Sequence, residues 1–428
     1  MQSVRTLIIG AGVTGLATAA ALSAKGDEDT LVIEADSEIG GWCKTIKKAG
    51  FVWDYSGHFF HFKHPEIEQF LRDRMPGQRI RVIEKKSFIA YKGRFIDFPF
   101  QKNIHQLPQE EFIDCLHDVY FARSSDVKRE PPAPARNFKE MLMARFGTGI
   151  CDKFLFPYNE KLYACDLATL DCGAMGRFFP YADLTDIVRN MKQPDNASYN
   201  ATFTYPEGGA IEYVRALASA VRPEAIALSE GLVAVDLDRK VARTTRREVG
   251  FERLVSSAPF PRLAAMCGVE HDAGAWAWNK VLVFNFGFDA KGREGIHWAY
   301  YPSRDTIFYR VGWYDNIFDA DRLSLYVEVG FPSGATLDAD AVRSVRERVL
   351  SDLEREGVTS GQRLVAEHCV VLDPAYVHIT QRSLSEHERV AALLMERGVH
   401  SVGRYGRWTY CAIEDNIVEA RALVSSFT

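Results

Sequence analysis

The chain has 428 residues, 47% of them hydrophobic and 25% charged, a composition typical of a globular protein and unlike a disordered chain or a coiled coil. Its 52 Lys and Arg against 57 Asp and Glu give a net charge of −5, and without a basic run this balance argues against nucleic-acid binding. The eight cysteines form no C-x-x-C pair, and the apolar stretch 7–22 is too short to span a bilayer comfortably. We therefore expect a cytoplasmic protein with reduced thiols, no export signal and no membrane association.

The first predicted elements are a strand, a glycine-rich turn and a helix. An apolar strand over residues 6–9 leads into Gly10-Ala11-Gly12-Val13-Thr14-Gly15, which opens an Ala-rich helix over residues 16–24. A second strand over residues 30–33 ends at Glu34. This order is the fingerprint of a Rossmann unit that binds a dinucleotide, with its phosphates at the helix N-terminus.

Each part of this motif has a separate physical role. Gly10 permits the tight turn, Gly12 lets a pyrophosphate approach the backbone, and Gly15 lets the helix pack closely on the strand. Glu34 can accept hydrogen bonds from a ribose diol. The predicted dinucleotide contacts in this segment are Gly10, Gly12, Val13, Thr14, Gly15 and Glu34.

A second glycine pair favours FAD over NAD as the dinucleotide. Gly40-Gly41 comes six residues after Glu34, and it resembles a pair found in FAD enzymes of the glutathione-reductase and amine-oxidase types. Segments 231–236 and 252–258 are interpreted as strands that return to the same sheet, and residues 403–406 precede a predicted helix. The further predicted cofactor contacts are Gly41, Trp42, Val233, Gly403 and Arg404. No cysteine pattern suggests covalent attachment, so we expect non-covalent FAD.

The middle of the chain alternates hairpin and helix patterns. Residues 87–100 predict a hairpin that turns at Lys92-Gly93. Helices are predicted over residues 108–121, 137–146, 149–155 and 339–356, and a linker or exposed loop over residues 124–136. We therefore expect an α/β fold, a Rossmann-type FAD-binding domain (glutathione-reductase-like) with inserted helical and β-sheet substrate domains.

The predicted domain boundaries make the FAD-binding domain discontinuous. Its N-terminal, middle and C-terminal parts are residues 1–85, 206–275 and 386–428. Residues 86–205 are predicted to form a substrate-binding region with a helical insertion, and residues 276–385 a β-rich substrate domain.

Histidine, arginine and tyrosine residues are the candidate reactive groups. His58, His61 and His64 recur every third residue, which does not converge on a metal from one helix or strand, so we predict no metal site. A loop histidine beside the flavin is the better interpretation of His58. Clusters at 157–163, 297–310 and 403–410 combine tyrosines with arginines or amides. Arg forms paired hydrogen bonds to phosphate and Tyr adds a neutral donor, so these clusters suggest a second phosphate-bearing ligand.

Six segments, in order along the chain, resemble the motifs of one family. They are Phe98-Pro99-Phe100-Gln101-Lys102-Asn103-Ile104, Gly147-Thr148-Gly149-Ile150 with Pro157-Tyr158-Asn159-Glu160-Lys161, Met175-Gly176-Arg177, Asn200-Ala201-Thr202-Phe203, Trp298-Ala299-Tyr300 with Arg310, and Gly403-Arg404-Tyr405-Gly406-Arg407-Trp408-Thr409-Tyr410. The family is that of the flavin-dependent UDP-galactopyranose mutases, and the likeness is greatest to its longer, eukaryote-like branch. Two departures stand out: the loop at His58 resembles the bacterial form, and Tyr163 replaces a Trp of the long branch.

The resemblance implies a redox-neutral isomerisation of a nucleotide sugar. N5 of reduced FAD would attack the anomeric carbon with UDP as the leaving group, and the sugar would open and reclose between pyranose and furanose forms. By motif match, His58, Arg177 and Arg310 would be the catalytic groups, with both arginines holding the diphosphate. The implied substrate contacts are Phe98, Phe100, Gln101, Asn159, Tyr163, Arg177, Asn200, Tyr300, Arg310, Tyr376 and Tyr410.

Two other interpretations stay open at this point. An FAD-dependent oxidoreductase of the amine-oxidase or protoporphyrinogen-oxidase type would share the Rossmann unit but would not need arginines and tyrosines converging on a diphosphate. A flavin-containing scaffold would bind a nucleotide sugar without turnover. The expected partners are a UDP-linked sugar, a reductant such as NAD(P)H, and further copies of the chain in a homo-oligomer.

Overall fold

The computed structural model describes residues 2–123, 134–180, 182–193 and 201–427. Within these ranges the strands are β1 (Gln2–Ile9), β2 (Thr30–Ile33), β3 (Thr45–Lys48), β4 (Phe51–Asp54), β5 (Ile80–Glu84), β6 (Ser87–Tyr91), β7 (Arg94–Asp97), β8 (Thr202–Pro206), β9 (Ile226–Ala227), β10 (Leu232–Asp236), β11 (Val241–Thr244), β12 (Glu248–Ser256), β13 (Ala277–Phe288), β14 (Trp298–Tyr300), β15 (Arg310–Trp313), β16 (Ser324–Pro332), β17 (Leu364–Leu372), β18 (Val377–His378) and β19 (Val399–Ser401). The helices are α1 (Val13–Ala24), α2 (Pro65–Arg72), α3 (Gln109–Arg123), α4 (Phe138–Ile150), α5 (Phe156–Tyr163), α6 (Leu184–Lys192), α7 (Ile211–Ala218), α8 (Phe260–Met266), α9 (Tyr314–Phe318), α10 (Ala339–Arg355), α11 (Gln381–Glu396), α12 (Gly403–Gly406) and α13 (Ile413–Ser425).

The first sheet joins the beginning, middle and end of the chain. Its order is β10-β11-β12-β1-β2-β9, and β19 also pairs with β12. β1 runs parallel to β2 and β12, and β2 is buried throughout, as expected for parallel strands covered on both faces. α1 packs against this sheet and against α13. The predicted Rossmann-type α/β fold is confirmed.

The second sheet carries two of the residues expected to meet substrate, Tyr300 in β14 and Arg310 in β15. Its order is β17-β13-β16-β15-β14-β6-β7, antiparallel except for the parallel pair β14/β6, and β18 also pairs with β13. Side chains alternate across it: Leu325 and Val327 of β16 pack with α10 in one apolar core, while Tyr326 and Glu328 point to the opposite face. That opposite face is the one turned toward the cavities described below.

Local sequence accounts for the helical part. The side chain of Asn137 accepts a hydrogen bond from the backbone N–H of Glu140, and α4 starts at the next residue. Gly147 interrupts α4 with φ 68°, close to the predicted break between two helices, and a Cβ there would meet the backbone of Asp118. A π-helical turn, Cys151–Leu155, then leads into α5.

The other predicted elements compare as follows. The hairpin at Lys92-Gly93 is confirmed as β6 and β7, and the helices predicted over 108–121 and 339–356 are confirmed as α3 and α10. Most of the predicted linker, residues 124–133, lies outside the described residues. Across the described ranges, no helix combines the length and apolar character needed to cross a bilayer.

Candidate functional site

A cavity of about 870 Å³ opens at the carboxyl end of β1 and is lined from both large sheets. It runs from the glycine-rich turn to a cluster that includes His58, Tyr309 and Glu328. Eight of the predicted cofactor residues line it: Gly10, Gly12, Val13, Thr14, Glu34, Gly41, Trp42 and Arg404. The local signals of the first 42 residues thus converge on one concave space.

The glycine-rich turn forms a cradle suited to a diphosphate. Gly12 is the N-cap of α1, and a Cβ added to it would come within 3.8 Å of Gly41 Cα, so the two glycine loops lie next to each other in the cavity lining. The first turn of α1 contains no acidic residue, so its N–H groups are open to an anion. Gly15 does not line the cavity, because it faces Gly10 at the contact between helix and strand.

Glu34 lies beside this cradle with both carboxylate oxygens fixed. One oxygen accepts the backbone N–H of Ala11 at 2.8 Å and the other that of Asp36 at 2.9 Å. Each oxygen retains a lone pair that can accept from a ribose hydroxyl. The glycine cradle, the bare helix N-terminus and this oriented carboxylate fit the ADP half of FAD.

Besides Gly15, two predicted cofactor residues lie outside the cavity lining, Val233 and Gly403. Val233 is 42% exposed, because strand alternation turns it to solvent, and its neighbours Gly231 and Leu232 line the cavity instead. Gly403, with φ +80°, lies behind the wall, where its N–H donates to Glu419 at 2.9 Å. Contrary to the prediction, neither Val233 nor Gly403 therefore lies at the surface of the cavity.

The C-terminal segment is joined directly to the glycine-rich turn. Asn416 Oδ1 accepts a hydrogen bond from Thr14 Oγ1 at 3.0 Å and another from the backbone N–H of Arg404 at 2.9 Å. Asn416 itself is buried and lines the cavity. Residues 402 positions apart in the sequence therefore form one wall.

A second cavity of about 230 Å³ adjoins the first. The residues that line both cavities are Ser56, His58, Tyr376, Arg404, Cys411 and Ile413. The predicted substrate residues that line the second cavity are Phe98, Gln101, Asn159, Tyr300, Arg310, Tyr376 and Tyr410. We call this cavity the substrate pocket.

The remaining predicted substrate residues are placed differently. Phe100 is buried behind the pocket and stacks on Phe154, with ring centroids 5.1 Å apart. Tyr163 is also buried behind it and contacts Tyr376 edge-on. Asn200 lies outside the described residues, as does the side chain of Arg177, whose backbone belongs to a short 3-10 helix, Gly176–Phe178.

Arg310 is held by a buried carboxylate that the sequence analysis missed. Its Nε and Nη2 donate to the two oxygens of Glu328 at 2.6 and 2.7 Å, and Ser56 Oγ also bonds to that carboxylate. Glu328 is 1% exposed and lies directly opposite Arg310 in the β15/β16 ladder. The ion pair is therefore built into the sheet register, and its net charge is zero.

Arg404 is a partly buried cation of a different kind. Its guanidinium lies 4.7 Å from the Tyr410 ring centroid and 5.1 Å from that of Tyr376, and it donates to the carbonyl of Ala375 at 3.2 Å. Among the described residues no carboxylate lies within ion-pair distance of it. Its positive charge remains available to an anion where the two cavities meet.

Several buried polar atoms around the cavities lack a hydrogen-bond partner within the described structure. They are His58 Nδ1, Gln101 Oε1, Asn159 Oδ1, Tyr309 Oη and Arg404 Nε. Buried polar atoms in folded proteins are nearly always satisfied, but unpaired atoms also occur away from the cavities, as at Trp276 and Trp313, so they do not by themselves mark a ligand site.

Burial sets the protonation states of the pocket. It lowers the pKa of His58 to about 4, so the imidazole is neutral at pH 7. Burial also raises the pKa of Tyr300 and Tyr376 above the usual value, so both hydroxyls keep their protons and can donate to a ligand. The pocket thus offers neutral donors beside two arginine cations.

The three histidines do not assemble a metal site. His58 lines the cavities, His61 bonds to the carbonyl of Thr202 at 2.8 Å, and His64 lies 3.4 Å from Glu66. In the described part of the chain, no group of three or more His, Cys, Asp or Glu is arranged to hold a metal ion.

Glu328 is the main residue that sequence reasoning missed, whereas Tyr309 belongs to the predicted cluster 297–310 without having been named as a ligand contact. Glu328 is the lone charged residue in the apolar run of β16, and such a residue must be paired if the strand is buried, which was an available signal. Its partner could not be read from the sequence, because the pairing depends on strand register.

Comparison with known proteins defines the class. The sequence profile of the flavin containing amine oxidoreductases matches residues 13–322, which is well over half of the chain. The fold and cavity therefore belong to a flavoprotein, and its cofactor is FAD. The chain is a member of the flavin containing amine oxidoreductase family.

Individual relatives point in two directions. Protoporphyrinogen oxidase 2 of Arabidopsis thaliana is 25% identical over 182 residues, which is 41% of this chain but only 35% of that protein. A reduced UDP-galactopyranose mutase superposes with a TM-score of 0.90 at 23% identity, covering 99% of this chain and 95% of that chain. An Exiguobacterium sp. 255-15 protein, whose proposed assignment is protoporphyrinogen oxidase, gives 0.78 at 18% identity and covers 100% and 99%. The likeness to the mutases is thus confirmed as a likeness of fold.

Proposed function

We propose that the protein is a flavin-dependent nucleotide-sugar mutase similar to UDP-galactopyranose mutase, interconverting pyranose and furanose forms of a UDP-linked sugar. The observation that carries this proposal is the lining of the substrate pocket. Two partly buried arginines, Arg310 and Arg404, line it together with Tyr300, Tyr376 and Tyr410. Such a concentration of cations and neutral donors is suited to a diphosphate and has no evident use in oxidising an amine.

The proposed division of work follows from the positions of the side chains. When bound and reduced, FAD would supply a nucleophilic nitrogen. Arg404 and the tyrosine hydroxyls stabilise the negative charge of the departing diphosphate, and Arg310 does so while oriented by Glu328. Arg177 is proposed as the second phosphate clamp from its motif alone.

The two ends of the substrate are assigned by hydrogen-bonding capacity. Gln101 donates to the carbonyl of Pro180 and Asn159 donates to that of Leu155 at 2.6 Å, so each amide presents its oxygen as an acceptor. We assign Gln101, with Phe98, to the N–H-bearing face of the base. Asn159 is assigned to a sugar hydroxyl, and His58 to the flavin edge.

The test is to incubate dithionite-reduced holoprotein with a panel of nucleotide sugars, led by UDP-galactopyranose and UDP-galactofuranose, and to separate the products by chromatography. The proposal predicts a new isomer without net oxidation, and no turnover by the oxidised protein. Stoichiometric consumption of O₂ without isomerisation would contradict it.

The second candidate is an FAD-dependent oxidase, favoured by the sequence match to protoporphyrinogen oxidase. It predicts O₂ consumption with protoporphyrinogen or an amine and no dependence on prior reduction. A reductant such as NAD(P)H, a homo-oligomer and a cytoplasmic location remain predictions for either activity.

A further inference from the structure

Asn279 is a fully buried residue of β13 that lies directly behind the lining of the substrate pocket. Its Nδ2 donates to the carbonyl of Leu162 at 2.5 Å, and its Oδ1 accepts from the backbone N–H of Tyr376 at 2.7 Å. Leu162 and Tyr376 both line the pocket, whereas Asn279 itself lines neither cavity. One side-chain amide therefore joins two parts of the pocket lining that are far apart in the sequence.

The first of these bonds holds the end of α5. The helix ends at Tyr163 and its next residue is left-handed, so its last carbonyl groups have no helical partner. Asn279 satisfies the carbonyl of Leu162, and the imidazole of His378 donates from Nε2 to that of Tyr163 at 2.9 Å. One turn earlier, α5 carries Asn159, which lines the substrate pocket. The attachment of α5 thus determines where Asn159 and Leu162 lie.

The second bond holds the backbone of Tyr376. The backbone N–H of Asn279 also donates to the carbonyl of Tyr376 at 2.9 Å, and its carbonyl accepts from the N–H of Ala375 at 3.0 Å. The Tyr376 ring stacks on Tyr410, with centroids 5.8 Å apart, and lies 5.1 Å from the guanidinium of Arg404. The position of this backbone therefore affects the aromatic and cationic side of the pocket.

The two bonds require one donor and one acceptor on the same short side chain. A primary amide provides both, and an amide turned the other way would face an acceptor with an acceptor and a donor with a donor. An apolar side chain of similar size would leave two buried backbone groups unpaired, which is costly unless the segments move apart to find other partners.

We propose that Asn279 is a positioning residue that sets the spacing between α5 and Tyr376 and so the shape of the substrate pocket. It acts through Leu162 and Tyr376 and does not touch the ligand. The inference rests on the proposed function only in the choice of UDP as the probe.

The chain offers a matched control in Asn285. This residue belongs to the same strand, is also fully buried, and donates from Nδ2 to the carbonyl of Asp54 at 3.0 Å. Neither Asn285 nor Asp54 lines a cavity. Asn279→Leu and Asn285→Leu should both lower the Tm, because each leaves a buried backbone group unpaired, but only the first should alter the pocket.

The experiment measures UDP binding by each holoprotein, ADP binding by each apoprotein, and the crystal structure of Asn279→Leu. This variant should bind UDP about fivefold more weakly, the equivalent of one neutral hydrogen bond, and should bind ADP as wild type does. Its structure should show Tyr376 displaced from Leu162. Wild-type UDP affinity in Asn279→Leu would overturn the proposal, as would an equal loss in Asn285→Leu. If wild type bound no UDP, the proposed function would fail, and the position of Tyr376 in the variant structure would decide this inference separately.

Asn279→Asp tests the same geometry in a second variant. A protonated carboxyl group has one donor and one acceptor, as the amide has, whereas a carboxylate cannot donate to Leu162. The UDP affinity of Asn279→Asp, expressed relative to wild type at the same pH, should therefore be higher at about pH 5 than at about pH 8. The corresponding ratio for Asn279→Leu should stay low at both. A ratio for Asn279→Asp that did not change with pH would contradict the proposed pairing.

Discussion

The ADP end of the large cavity and the substrate pocket are built in opposite ways. The ADP end takes most of its lining from segments 9–14 and 33–44, which follow neighbouring strands of one sheet. The substrate pocket takes its lining from segments as distant as Ser56 and Ile413. The first is determined mainly by local backbone conformation and completed by the C-terminal segment, and the second is determined by how the whole chain packs.

The largest expected effect is a loss of FAD affinity, and it tests the ADP end of the large cavity. Gly12→Val should fold, because the residue has φ −83° and a Cβ there meets Gly41 only at 3.8 Å. The added methyl groups would enter the cradle, and overpacking of about 3 kcal/mol should weaken FAD binding about a hundredfold. Titration of the apoprotein with FAD measures the loss.

Gly15→Ala is the contrasting control for this cradle. Its Cβ would collide with the carbonyl of Gly10, so it should lower the Tm of the apoprotein. If Gly12→Val bound FAD as tightly as wild type, the cradle would not hold the phosphates. Equal losses of Tm in both variants would show that Gly12 has a purely structural role.

The second prediction concerns the pocket that packing assembles. Arg310→Ala should lower kcat/KM by about one to two decades, the value of a charge-assisted hydrogen bond of ~1.5–3 kcal/mol. It should also lower the Tm, because Glu328 would remain buried and unpaired. Steady-state kinetics and a melting curve measure the two effects.

A double variant separates the role of Arg310 in UDP binding from its role in stabilising the fold through the ion pair with Glu328. Arg310→Ala with Glu328→Gln should recover much of the Tm without recovering UDP affinity. If UDP affinity returned as well, Arg310 would serve only to neutralise Glu328, and Arg404 would be left as the principal cation of the substrate pocket. Arg310→Lys should recover only part of the activity, because it lacks the planar fork.

The smallest expected effect is the response of the Tm and of ligand binding to acid. This response also distinguishes the substrate pocket from the ADP end of the large cavity. Burial lowers the pKa of His58, His61 and His297 to about 4, against about 6.5 in an unfolded chain. Between these values the unfolded chain binds more protons, so the stability they contribute is present above pH 6.5 and lost as pH falls toward 4. The Tm should therefore decrease across that window.

Histidine variants identify which residues cause the decrease of Tm between pH 6.5 and pH 4. His297→Gln should flatten the decrease in Tm, whereas His64→Gln should not, since His64 is largely exposed. Protonation of His58 and His61 adds positive charge to the substrate pocket that they line, so UDP binding should not weaken in acid ahead of ADP binding to the apoprotein. An unchanged slope in His297→Gln would contradict the assignment.

Sequence reasoning succeeded where one residue acts through its own backbone or its nearest neighbours. The turn at Gly10, the hairpin at Lys92-Gly93 and the break at Gly147 each follow from glycine's freedom at positive φ. Glu34 was identifiable because it directly ends a strand beside the glycine loop.

Sequence reasoning failed where strand register or tertiary packing determines the position of a side chain. Glu328 meets Arg310 only because the two strands pair at that register, and Val233 faces solvent because of its place in an alternating strand. Phe100 and Tyr163 sit one layer behind the pocket, a distinction that motif matching does not make. Which aromatic residues touch a ligand depends on packing between distant segments.

The hydrogen bond from Thr14 to Asn416 has a consequence for the order of events in the cell. During synthesis the glycine-rich turn leaves the ribosome hundreds of residues before the helix that completes its wall. A nascent chain can form β1 and α1 early, but it cannot close the nucleotide cavity until α13 is available. We therefore expect tight FAD binding to require that α13 has been synthesised, and chains that lack α13 should bind the cofactor less tightly.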